Sequence, residues 1–152
     1  MVNGTNNVGG IVGNSSDNTI SSCANYGAVT GTECNVGGMV GFFISGTIQN
    51  CANYGDISGA DCVGNQIGYA RICNLNNVLG IGNVTATTSQ SGLLAGLIWD
   101  SSSTAAGILA YNSSAKLTIN GIEQTGDAVK AIGISSLSST GRIKAFTAEQ
   151  LK

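Results

Sequence analysis

The chain has 152 residues, of which 23 are glycine, none is proline or histidine, and 9% are charged. At 42% hydrophobic content it is long and apolar enough to bury one core, and it is not a solvated disordered chain. A net charge of −2 leaves no basic footprint for nucleic acid, and the lack of histidine excludes imidazole catalysis and a HExxH metalloprotease site.

The chain opens Met1-Val2-Asn3-Gly4-Thr5 with no basic n-region or apolar h-region after it, so no secretory signal is expected in this segment. No run of about 18 apolar residues follows, so no membrane insertion is expected. The next segment, Asn7-Val8-Gly9-Gly10-Ile11-Val12-Gly13, returns as Asn35-Val36-Gly37-Gly38-Met39-Val40-Gly41, which sets a 28-residue period. The same offset carries Cys23-Ala24-Asn25-Tyr26-Gly27 onto Cys51-Ala52-Asn53-Tyr54-Gly55. It also carries Val29-Thr30-Gly31 onto Ile57-Ser58-Gly59 and Cys34 onto Cys62. Val63-Gly64-Asn65-Gln66-Ile67-Gly68 is a weaker third copy, and Ser91-Gly92-Leu93-Leu94-Ala95-Gly96 begins a fourth.

A unit this rich in glycine does not make helix, because each interior glycine costs about 1 kcal/mol there. Short β-branched segments bounded by Gly, Asn and Ser read as strands and turns. In the second unit three strands are expected: 36–43, 47–51 and 56–58. Three strands and three turns close a coil, and stacked coils make a β-solenoid held by neighbour contacts. A β-sandwich would explain the strands but not the period. The expected inward rows are Ile11, Met39, Ile67 and Leu94; Ile20, Ile48 and Ile72; and Val29, Ile57 and Val84. The solenoid is expected over 1–114, with units near 7–34, 35–62, 63–90 and 91–114. Residues 115–152 are expected to form a strand-rich C-terminal cap or linker. There Arg142–Phe146 alternates as a strand, and Thr147-Ala148-Glu149-Gln150 reads as a capping box. A helix that stops at Lys152, one turn later, suggests a segment cut from a longer protein.

Gly10-Ile11-Val12-Gly13, Gly38-Met39-Val40-Gly41, Ile48-Gln49-Asn50-Cys51 and Gly55-Asp56-Ile57 together resemble the GLUG-motif repeats of large bacterial surface proteins, including Bacteroidetes-like ones. The resemblance covers about two thirds of the chain and supplies no catalytic residues. It implies a right-handed coil and an exported, extracellular or cell-surface scaffold or adhesive segment.

The five cysteines invite three readings. Cys23 with Cys51 and Cys34 with Cys62 share register positions, while Cys73 has no partner. Stacked cysteines fall within reach of a disulfide, but parallel side chains suit its torsion poorly. Metal spacing of the Cys-x2-Cys kind is absent, so a ladder of thiols is the preferred reading. No cofactor or metal is expected; oxygen ligands for calcium would gather only at Glu33 and Asp61. Tyr26 and Tyr54, with Asn25 and Asn53, are the candidate ligand-binding residues. Phe42-Phe43 and Trp99 mark a candidate apolar patch. The acids Asp17, Glu33, Asp56, Asp61, Asp100, Glu123, Asp127 and Glu149 are the only groups from which a polysaccharide-degrading β-helix could build a site. The threonines do not follow the repeat period, so an ice-binding threonine array is not expected. The expected function is therefore a non-catalytic scaffold or stalk; the alternative is a glycan- or protein-binding module of an adhesin. Expected partners are neighbouring domains of a longer chain, a host glycan or protein, and a second copy end to end.

Overall fold

The computed structural model describes residues 1–137, 143–147 and 149–150. Its strands lie in four parallel sheets, each visited once per turn of the chain. Face A stacks Val2–Gly4, Val29–Gly31, Ile57–Ser58, Val84–Ala86 and Leu117–Ile119. Face B stacks Val8–Gly9, Cys34–Gly37, Asp61–Gly64 and Ser91–Gly92. Face C stacks Val12–Ser15, Val40–Phe43, Ile67–Ala70, Ala95–Ile98 and Ile132–Ser135. Face D stacks Asn18–Ser21, Gly46–Asn53, Asn74–Gly80, Thr104–Asn112 and Ile143–Phe146. The molecule is an all-β solenoid of about four turns.

Each turn has four strands, not three. The expected strand 36–43 breaks at Gly38-Met39 into two. The cause is backbone crowding. A Cβ on Gly37 would overlap the Val40 carbonyl oxygen, and one on Gly41 would overlap the backbone of Asn7 and Val8. Gly9, Gly64 and Gly92 repeat the first contact, and Gly68, Gly96 and Gly133 repeat the second. The Gly-Gly-x-Val-Gly motif is thus a corner where faces B and C meet backbone to backbone, with no space for side chains. The left-handed conformation at this corner falls on Asn7, Asn35 and Cys62 (φ 52°, 59° and 49°). A second left-handed row, Ser22, Asn50, Asn77 and Gly107, bends face D. Asparagine tolerates that region better than most side chains. It also stacks: Asn35 donates to Asn7 at 2.8 Å, and Asn77 to Asn50 at 3.4 Å.

The third inward row forms as expected. Val29, Ile57 and Val84 lie in register, flanked by Val2 and Leu117, and all but Val2 are at most 1% exposed. Burying each such side chain is worth about 1.5–3 kcal/mol. The other two rows need correction. Ile67 stacks with Val12, Val40, Ala95 and Ile132, one row away from Met39. The step from Val40 to Ile67 is one residue shorter than the step from Val12 to Val40, so Gln66 takes the place above Met39. Ile11 occupies the expected row but is 43% exposed, because its coil has a neighbour on one side only. Leu75, not Ile72, continues the row of Ile20 and Ile48.

The same shortening moves Cys62. Asp61 pairs with Cys34, so Cys62 stands at the position of Asn35, and the expected Cys34–Cys62 register is not formed. Cys23 does stack beneath Cys51, since Ala24 and Asn25 pair with Ala52 and Asn53. Val78 and Leu109 then continue that row.

Beyond residue 114 the strands at 117–119, 132–135 and 143–146 cap the solenoid by extending faces A, C and D. Ile122–Glu123 folds back on Leu117–Ile119 as the one antiparallel pairing among the described residues. Thr147 and Gln150 form the expected capping box: Thr147 Oγ1 accepts the Gln150 N–H at 3.3 Å, and Gln150 Oε1 accepts the Thr147 N–H at 3.0 Å. Arg142, Ala148 and Lys152, also part of those expectations, lie outside the described residues.

Candidate functional site

Asn25 and Asn53 turn into the solenoid rather than toward a ligand. Asn53 is fully buried; its amide donates to Gly55 O at 2.7 Å and to Asn65 Oδ1 at 2.9 Å. Asn25 donates to Gly27 O and to Asn53 Oδ1, each at 2.7 Å. Asn65, also fully buried, donates to Gly82 O at 2.8 Å. Each asparagine therefore satisfies a corner carbonyl and its stacked neighbour, which a buried amide requires. The amides of Asn25 and Asn53, expected as ligand-binding groups, are engaged in the fold's own hydrogen bonds.

Tyr26 and Tyr54 are exposed, at 74% and 41%, and stack with ring centroids 4.6 Å apart and planes within 7°. Sugar recognition by an aromatic platform needs an open ring face. Here each ring covers one face of the other, and the second face of Tyr26, on the first coil, has no ring stacked on it among the described residues. A second stack, Phe42 on Tyr69 (5.0 Å, 12°), lines face C. The repeat period hid it, because the two rings fall one residue short of that period. Of the candidate apolar patch, Phe43 is fully buried, whereas Trp99 is 63% exposed. Ile44 and Ile134 are exposed on the same face. A shallow apolar groove of about 290 Å³ lies on face D, lined by Leu79, Ile108, Ala110 and Phe146 among others.

All five cysteines are free thiols. Burial pushes the Cys73 thiol up to about 12, against a small opposing hydrogen bond from Ser103. Burial, then the charge of Asp61, takes Cys62 to about 12 as well. Burial also raises Cys51. Thiols held protonated in this way are poor nucleophiles and poor metal ligands.

Glu33 and Asp61 do not stack, since Asp61 stands over Cys34. Asn6 donates to the Glu33 carboxylate, and the Thr88 hydroxyl donates to Asp61. Asp56, Asp100 and Glu123 also serve the local backbone or a neighbouring charge. Asp56 accepts the Asn83 N–H at 2.8 Å, and Glu123 pairs with Lys116 at 3.0 Å. Asp100 accepts the Ser102 N–H at 2.8 Å, which holds its carboxyl below the usual range. Among the described residues no three Cys, Asp or Glu side chains gather where a metal ion would sit.

The hydroxyl residues are more regular than the sequence suggests. Asn3, Thr30, Ser58, Thr85 and Thr118 form one register column on face A, and Ser58 donates to Thr30 at 3.3 Å. The steps between them along the chain are unequal, and the step from Thr85 to Thr118 is the longest, so no single period reveals the column. No protein-family model, curated protein or solved structure matches the chain.

Proposed function

We propose that this chain is a non-catalytic scaffold, a spacer segment of a large bacterial surface protein of the GLUG-repeat kind. The observation that carries the reading is the continuity of register. Valine, asparagine and hydroxyl rows each run through successive turns, and the polar side chains on them are spent on neighbouring turns. Such a rod sets distance, and its length scales with the number of coils. Inserting further copies of residues 36–62 after Cys62, which keeps the 27-residue step of this turn, should lengthen the rod by about 4.8 Å per copy. Solution scattering and thermal melting would measure this, with one cooperative transition throughout. Copies that add no length, or that melt as separate blocks, would sink the spacer reading.

A second reading, a binding module for a host glycan or protein, draws on Trp99. Its indole is largely exposed and has no ring partner among the described residues. On a glycan panel, Trp99→Ala would then abolish binding while Tyr26→Ala leaves it unchanged. Loss with Tyr26→Ala, or no binding by the wild type, would discard this reading.

A further inference from the structure

The five free cysteines are not equivalent partners for one another. Ala24 and Asn25 pair with Ala52 and Asn53, so Cys23 stands directly opposite Cys51 on the neighbouring turn. The Ala52 N–H donates to Cys23 O at 3.0 Å and holds the two backbones in register. Adjacent strands lie about 4.8 Å apart, inside the Cα separation of about 4.4–6.8 Å that a disulfide spans. Both cysteines leave the same kind of bend, because Ser22 and Asn50 before them are left-handed at φ 54°. Each thiol donates to the carbonyl two residues back, Cys23 to Ser21 and Cys51 to Gln49, both at 3.2 Å. The Cys51 sulfur also reaches Ile20 O at 3.7 Å, on the turn that carries Cys23. Burial raises the Cys51 thiol, and the adjacent Cys23 thiol adds to that rise. The other cysteines diverge. Cys34 Sγ donates to Asn6 Oδ1 at 3.1 Å, on the turn before it, and Cys62 Sγ to Gln90 Oε1 at 3.5 Å, on the turn after it. Cys73 is buried beside Ser103, whose hydroxyl accepts its N–H at 3.1 Å.

We propose that Cys23 and Cys51 are a disulfide site, which closes one complete turn of the solenoid into a covalent ring when the chain folds against a small-molecule disulfide. One cysteine thiolate displaces a thiol from the oxidant and forms a mixed disulfide. The second cysteine then displaces the other thiol. The Sγ–Sγ bond forms, the oxidant's S–S bond breaks, and two electrons and two protons leave on the oxidant's two thiols. Parallel side chains hold the new bond off its preferred torsion, so it is of the readily reduced kind. Cys51 is buried in the finished coil, which makes folding the moment of closure. The inference goes beyond the spacer reading and does not rest on it: it places a redox-dependent staple between two turns, whatever the rod serves.

Refolding the full chain from urea in a buffer of reduced and oxidised glutathione tests it. The remaining thiols are then alkylated. Chymotrypsin, cutting after Tyr26, Phe43, Tyr54 and Tyr69, leaves each cysteine on its own peptide. The peptides of Cys23 and Cys51 should be recovered joined, with Cys34, Cys62 and Cys73 alkylated. The closed ring should raise the melting midpoint by about 5 °C over the same protein after reduction. Cys51→Ser should remove both the joined peptides and the rise. If that variant does not fold, the peptide map of the wild type decides alone. Five alkylated thiols, glutathione left on Cys23, a Cys34–Cys62 bridge or a bond between two chains would each overturn the proposal.

Discussion

In the second unit Asn53 reaches inward from face D, and Gly38 opposite it is bare. In the third unit Asn65 reaches inward from the corner of faces B and C, and Gly80, in register with Asn53, is bare. Both asparagines end on the same carbonyl of the turn, Gly55 O in one and Gly82 O in the other. A Cβ on Gly38 would overlap the Asn53 amide, and one on Gly80 would crowd Asn65. Each layer therefore has space for one amide, and it does not matter which wall supplies it. What is selected is the filled volume and the satisfied carbonyl, not the residue at a position. In the fourth unit Leu93 and Tyr111 stand at these two places, and Tyr111 packs against both core clusters. The amide ladder stops there. Stacked partners also move further apart along the chain, as Val84 with Leu117 and Ala95 with Ile132 show against Val29 with Ile57.

The largest effect should come where the two units do not differ. Gly37→Ala places a Cβ against the Val40 carbonyl, the Gly68 nitrogen and the Gln66 carbonyl, all backbone atoms that cannot rotate away. A loss of about 4 kcal/mol is expected, comparable to the whole stability of a small domain. Gly59→Ala meets the Val36 and Val63 side chains instead and should cost much less. Urea denaturation of the pair measures the difference. Equal costs would mean that the corner is not the tightest point of the coil.

The exchange itself is tested by a double-mutant cycle. Asn65→Gly leaves the Gly82 carbonyl and one Asn53 proton unsatisfied in the interior, at about 2–3 kcal/mol. Gly80→Asn alone crowds Asn65. Together they recreate the pattern of the second unit, and the double variant should be more stable than the sum of the singles by about 1–2 kcal/mol. Strict additivity would break the comparison.

That exchange also shows why the sequence was legible only in part. The coil, its period and the Val29–Ile57–Val84 row follow from apolar residues that repeat in place. Ile67, Cys62 and Tyr69 are misplaced or missed because one residue is dropped between the second and third units, whereas Ile72 lies three residues before Leu75 and is not explained by that slip. A one-residue slip moves each later residue to the next position in the stack. Asn25 and Asn53 looked like surface candidates because asparagine beside tyrosine and glycine reads as an exposed turn. Nothing local reveals that the opposite corner carries glycines bare enough to admit their amides. The hydroxyl column on face A escaped for the same reason as Tyr69.

The thiols separate the interior from the rim by pH. Cys62 and Cys73 stay protonated in the fold to about 12, whereas free thiols ionise near 9.0. The folded state thus binds more protons than the unfolded state between those values, and stability falls as pH rises through that window. The contribution is intact below about pH 9. Thermal melts from pH 7 to 11 should show the decline, and Cys73→Ala should flatten it. At pH 8, alkylation should reach Cys23 and Cys34, which are half-buried, before the buried Cys51, Cys62 and Cys73. Uniform labelling of all five in the folded protein would contradict this burial.

The smallest effect belongs to the tyrosine stack, and it distinguishes a rim coil from an interior one. A stacked aromatic pair is worth about 0.5–1.5 kcal/mol beyond its buried area. Tyr26→Ala and Tyr54→Ala both forfeit that contact, so any difference between them reports what else each ring touches. Tyr54 sits between Tyr26 and the register position of Ile81, whereas Tyr26 has a coil on one side only. Tyr54→Ala should therefore cost about 1.5 kcal/mol and Tyr26→Ala about half of that. Thermal melts of both variants measure the difference, and equal costs would mean that Tyr54 gains nothing from the coil beyond it.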